Sequence, residues 1–111
     1  RYHVPIAWDT DVNAAVLGEF LWGAGQNTDP LIYITVGTGV GGGVLINGQL
    51  LHGLLHPEIG HLLVPPPQNS SAIQQACHCP FHKSCVEGYV SGTALALIFS
   101  ILSVEAKLIH A

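Results

Sequence analysis

From Asp9 to Trp22 the apolar positions Val12, Ala15, Val16, Phe20 and Leu21 do not alternate with period two, which favours a helix over a strand. Capping-type residues Asp9, Thr10 and Asp11 open the segment and Gly23 and Gly25 close it, predicting a helix over 11–22. Leu31-Ile32-Tyr33-Ile34-Thr35-Val36 is a dense β-branched and aromatic run between turn formers, the pattern of a buried strand over 31–36. Val44-Leu45-Ile46 and Gln49-Leu50-Leu51 flank Asn47-Gly48, a dipeptide that accepts the positive φ angles of a type I′ turn, so a hairpin is predicted over 42–51. Leu62-Leu63-Val64 reads as a short strand stopped by Pro65-Pro66-Pro67, and the polar run 68–76 carries no signal. Ser91 then caps a terminal helix predicted over 93–109. The mixture of helices, strand and hairpin is of the α/β class.

Composition narrows what such a chain does. Its 111 residues, 49 % of them hydrophobic, fit one domain, since domains run to about 100–200 residues. Charged residues make up 9 %, against roughly 25 % in a typical soluble domain, so part of the surface is expected to face a partner. Three Lys and Arg against seven Asp and Glu give a net charge of −4, without the basic stripe that nucleic-acid binding needs. The longest apolar stretch, Leu95 to Val104, is broken by Ser100 and Ser103 and is about half the ~20 residues of a bilayer span, so no membrane segment is expected. Arg1 to Trp8 does not make a secretory signal, and a cytoplasmic location is expected.

Gly37-Thr38-Gly39-Val40-Gly41-Gly42 satisfies G-x-G-x-x-G, yet it leads into hairpin sequence instead of a helix, which excludes a dinucleotide fingerprint. No Gly-Lys-Ser/Thr follows, which excludes a Walker A loop. A strand–glycine turn–strand remains, in which backbone N–H groups and the Thr38 hydroxyl can approach a phosphate. The competing reading is a glycine-rich bend chosen for close packing.

Cys79-Pro80-Phe81-His82-Lys83-Ser84-Cys85 spaces three metal donors as C-x2-H-x2-C, and a tetrahedral zinc site needs a fourth. His61 supplies it in the preferred set, making a structural zinc loop over 56–87; a set using Cys77 is the alternative. Asp11, at a helix start where the dipole favours an anion, suits either a general base or a plain N-cap, and Asp9 could cap instead. Glu58 and Glu87 flank the metal residues, and two acceptor-only side chains gathered there could hold sugar hydroxyls.

Asp9-Thr10-Asp11-Val12-Asn13-Ala14-Ala15, Thr35 to Gly43, His56-Pro57-Glu58-Ile59-Gly60-His61, and Cys79-Pro80-Phe81-His82 with Cys85-Val86-Glu87-Gly88 together resemble the ROK family of sugar kinases. The Cys-Pro-Phe-His knuckle is most similar to the fructokinase branch. The resemblance implies part of an actin-like, ribonuclease-H-like ATPase fold that transfers the γ-phosphoryl group of ATP, with Mg²⁺, to a hexose hydroxyl, fructose above others. It implies Asp11 as catalytic base, Gly37, Thr38, Gly39 and Gly41 at phosphate, and Glu58, His61 and Glu87 at sugar. His61, Cys79, His82 and Cys85 then hold zinc, and Asn13 supports the loop of the base. A homodimer is a further expectation from the family.

The chain departs from the family in length and content. The first phosphate loop and the adenosine-binding Gly-Gly pair have no counterpart here, so the chain reads as a truncated, central segment of a two-lobed kinase whose missing lobe is its natural partner. Phosphoryl transfer depends on positioning and charge neutralisation, so the segment alone is expected to be inactive. The alternative is a noncatalytic, zinc-stabilised sugar-binding or regulatory module of the same family.

Overall fold

The computed structural model describes residues 3–66, 68 and 77–109; most of the polar run 68–76, and Pro67, lie outside them. Its elements are helix α1 (Asp11–Trp22), strands β1 (Leu31–Val36), β2 (Val40–Ile46) and β3 (Gln49–Leu50), a 3-10 turn (Ile59–His61), and helices α2 (Val86–Val90) and α3 (Gly92–Ile109). The three strands form one sheet in the order β1-β2-β3. The chain divides into two compact units, Arg1–Ile34 with Gly42–Pro57 and Thr35–Gly41 with Glu58–Ala111.

In the first unit, α1 starts with Thr10 as its N-cap, whose side chain accepts the Asn13 N–H at 3.2 Å. The cap is therefore Thr10, not Asp9 or Asp11; the Asp9 carboxylate accepts the Thr10 N–H at 2.8 Å instead. The helix stops at Gly23, where the Glu19 carbonyl takes the N–H of both Gly23 and Gly25 and the Glu19 carboxylate takes that of Ala24. Val16 is buried on α1, and Val44 and Leu45 are buried on β2. A Cβ at Gly43 would run into the Val12 carbonyl, so the glycine lets α1 lie directly on β2. Close packing thus explains this end of the glycine run.

β2 and β3 pair antiparallel with Leu45 opposite Leu50 and Ile46 opposite Gln49. Asn47 and Gly48 take φ of 53° and 70°, both positive as a type I′ turn requires. β2 begins at Val40, two residues before the predicted hairpin. β1 is not buried on both faces as its composition suggests: Ile32, Ile34 and Val36 stand 56–58 % exposed, while their neighbours are half-buried. It is an edge strand of this sheet with one apolar face uncovered among the described residues.

In the second unit, α2 packs on the 3-10 turn and on α3. Val40, Cys85, Tyr89 and Ala94 are buried there. The predicted strand at 62–64 reduces to one antiparallel bridge, Leu63 with Cys85, flanked by the Val86 N–H bonded to the Leu62 carbonyl at 3.0 Å. Proline ends any longer pairing. Ser91 accepts the Ala94 N–H at 3.2 Å and caps α3, which starts one residue before the predicted position. Among the described residues no helix is long and apolar enough to cross a membrane.

Candidate active site

His61 ends the 3-10 turn, Cys79 and His82 come from the loop before α2, and Cys85 is the N-cap of α2, its Sγ accepting the Gly88 N–H at 3.4 Å. The Leu63–Cys85 bridge draws the turn and the helix start together, so one donor atom from each of the four residues lies within 4.8 Å of the others. Cys79 Sγ is 3.7 Å from His61 Nδ1 and 3.5 Å from His82 Nδ1. Donors around a tetrahedral ion with bonds of ~2.0–2.3 Å stand about 3.3–3.8 Å apart, which the two distances from Cys79 match, and the two sulfurs and two nitrogens fit such an ion in number and type. Cys77 is outside the four: its Sγ points to the His82 carbonyl at 3.5 Å and fills the place a Cβ at Gly88 would take.

The two thiols of this group differ electrostatically. Burial opposes the thiolate of Cys79, but hydrogen bonds from the Phe81 backbone and from the side chain and backbone of His82 outweigh it and hold the thiol below its ordinary value. Burial pushes the Cys85 thiol up, against the Gly88 N–H. A cation would favour both thiolates.

The glycine turn runs from Gly37 to Gly39 between β1 and β2, and Gly41 lies within β2. The Gly37 N–H bonds the Gly39 carbonyl at 2.9 Å. The start of α3 grips the turn's carbonyls: the Gly92 N–H donates to Gly37 at 2.7 Å and the Thr93 hydroxyl to Thr38 at 3.1 Å. Glu87 Oε2 accepts the Val40 N–H at 2.8 Å. Among the described residues the Thr38 and Gly39 N–H groups bond no other protein group, which leaves them for an anion. Glu87 therefore meets the turn, whereas Glu58 is exposed at the head of the 3-10 turn with φ of 48°.

Asp11 belongs to the first unit and is exposed in the first turn of α1. Two residues before it, Asp9 belongs to a network that sequence reasoning missed. His52 Nε2 is 2.8 Å from Asp9 Oδ2, Asn13 Nδ2 donates to Asp9 Oδ1 at 2.7 Å, and Asn13 Nδ2 and His52 Nε2 stand 3.4 Å apart. Asn13 is only 1 % exposed, and its Oδ1 has no partner among the described residues. The bond from Asn13 and those from Thr10 and His52 lower the Asp9 pKa from 3.8 to about 2. The i, i+4 spacing of Asp9 and Asn13 was a readable signal; nothing local announces His52.

The ROK family model matches residues 1–108. The chain belongs to the ROK family. It is 50 % identical over 91 residues to the fructokinase of Zymomonas mobilis subsp. mobilis, covering 82 % of this chain and 30 % of that protein. Among solved structures it is similar to a ROK family glucokinase from Streptomyces griseus in complex with glucose and AMPPNP, with TM-score 0.64, 40 % identity, and coverage of 83 % of this chain and 28 % of that one. The ROK hexokinase from Thermus thermophilus is similar at TM-score 0.61 and 38 % identity, over 78 % of this chain and 28 % of the hexokinase. The ROK chain described here thus spans about 30 % of the length of the fructokinase it matches, and its α/β fold is that of a segment of the sugar kinases.

Proposed function

We propose that the protein to which this chain belongs transfers the γ-phosphoryl group of ATP to a hexose hydroxyl, with fructose preferred. The observation that carries the reading is the exposed Asp11 carboxylate on the first turn of α1, in a chain 50 % identical to a fructokinase. Asp11 accepts the proton of the attacking hydroxyl, a role worth about 10²–10⁴-fold in rate. The Thr38 and Gly39 N–H groups receive phosphate oxygens, and Mg²⁺ bound with ATP neutralises the charge that develops on them. Glu58, His61 and Glu87 contact the sugar. A His61 that binds metal through Nδ1 keeps Nε2–H to donate to a hydroxyl.

Zinc held by His61, Cys79, His82 and Cys85 is structural, since four protein ligands leave no open position for substrate. The 111-residue chain alone does not turn over, because phosphoryl transfer needs a complete phosphate cradle. The test is Asp11→Asn in the full-length protein, with kcat and sugar binding measured separately. Loss of about 10²–10⁴-fold in kcat with sugar binding kept supports the base. Unchanged turnover overturns it, and a kcat/KM for glucose above that for fructose overturns the substrate preference.

A further inference from the structure

Gly39 has a reason to be glycine that phosphate binding does not supply. A Cβ there would stand 2.7 Å from Glu87 Oε2 and 3.4 Å from its Cδ, whereas a Cβ at Gly37 in the same turn would meet open space. The oxygen that crowds position 39 is the one that accepts the Val40 N–H at 2.8 Å. A carboxylate on a backbone N–H makes a charge-assisted bond, stronger than a neutral one. Two further restraints, from Gly92 to the Gly37 carbonyl and from Thr93 to the Thr38 carbonyl, arise within six residues of Glu87.

We infer that Glu87 is a positioning residue for the glycine turn, its Oε2 filling the anion position at the Val40 N–H while Oε1 is left for the sugar contact proposed above, and that Gly39 is glycine to admit Oε2. The carboxylate fixes one end of the turn while α3 holds the Gly37 and Thr38 carbonyls, so the N–H groups of Thr38 and Gly39 are the ones left without a protein partner among the described residues. This rests on the sugar-kinase reading only for the turn's task at phosphate. The clamp itself does not depend on that task.

The test uses G39A, E87A, E87Q and the G39A/E87A double variant in the full-length protein, reading KM and kcat for ATP and sugar and hydrogen exchange at the Val40 amide. With Glu87 present, G39A is expected to lower kcat/KM for ATP by about tenfold or more; in the E87A background it costs less than about twofold. Exchange at Val40 is expected to rise by about tenfold or more in E87A and to stay within about twofold of the parent in E87Q, whose amide oxygen still accepts the bond. An equal cost of G39A in both backgrounds, or Val40 exchange unmoved by E87A, overturns the inference. If the parent phosphorylates no sugar, the kinase reading falls, and the Val40 exchange still decides the role of Glu87.

Discussion

His52 Nε2 lies 2.8 Å from Asp9 Oδ2, joining residues 43 positions apart and fastening the segment after β3 to the start of α1. The other Asp9 oxygen holds the Thr10 N–H and the Asn13 amide, so the carboxylate has donors on both sides. Its pKa in the fold, about 2, lies below the ordinary 3.8, so the folded state prefers the ionised form. The stabilisation is therefore fully present above the ordinary value and is lost as pH falls through the folded value. Asp9→Asn should lower the urea midpoint at about pH 4, with the gap closing as the pH falls below that. A gap that widens below about pH 4 contradicts this account.

The proposed zinc site predicts a thiol count. With zinc bound, Cys77 should react quickly with a thiol reagent while Cys79 and Cys85 are protected; after chelation all three should react. At zinc about 1,000-fold above its dissociation constant, binding adds about 4 kcal/mol to stability. Elemental analysis giving one zinc per chain, and a fall in Tm on chelation, are the accompanying results. Three fast thiols before chelation would count against the site.

Two glycines of the first unit should respond oppositely to alanine. Gly43→Ala drives a Cβ into the Val12 carbonyl and should cost about 1–3 kcal/mol. Gly18, inside α1 with nothing within 4 Å of its added Cβ, should gain about 0.5–1 kcal/mol as alanine. Denaturant midpoints of the two variants check both signs.

Glu58 holds φ of 48° in the left-handed region, which costs a residue with a side chain roughly 1 kcal/mol. Glu58→Gly should therefore raise Tm while increasing the sugar KM by about tenfold, through loss of a charged hydroxyl partner. A stabler protein with unchanged sugar KM would falsify the sugar contact and leave only a backbone role for this turn.

Local signals made much of the fold legible. Polar residues before Asp11 and glycines after Trp22 bracket α1, and Asn47-Gly48 fixes the β2–β3 turn through its positive φ. Tight spacing made Cys79, His82 and Cys85 readable as a group, while His61 needed the chemical demand for a fourth donor. Contacts that arise only once the chain has folded were not legible. No composition distinguishes His52 from the other histidines, and neither the short α2 nor the grip of Glu87 on Val40 has a periodic signature. β1 misled because an apolar run shows that a face can be buried without showing what covers it.

The single rung between Leu63 and Cys85 makes a neck for residues 64–84. Closing a loop grows costlier only with the logarithm of its length, about 0.6 kcal/mol per doubling. A neck of this kind leaves the separation of His61 and Cys85 insensitive to the number of residues between Pro66 and Cys77, ahead of the Cys77 thiol that packs on Gly88. That stretch is accordingly where length variation between homologues should be tolerated, and where a foreign peptide could be spliced in without dismantling the proposed zinc corner.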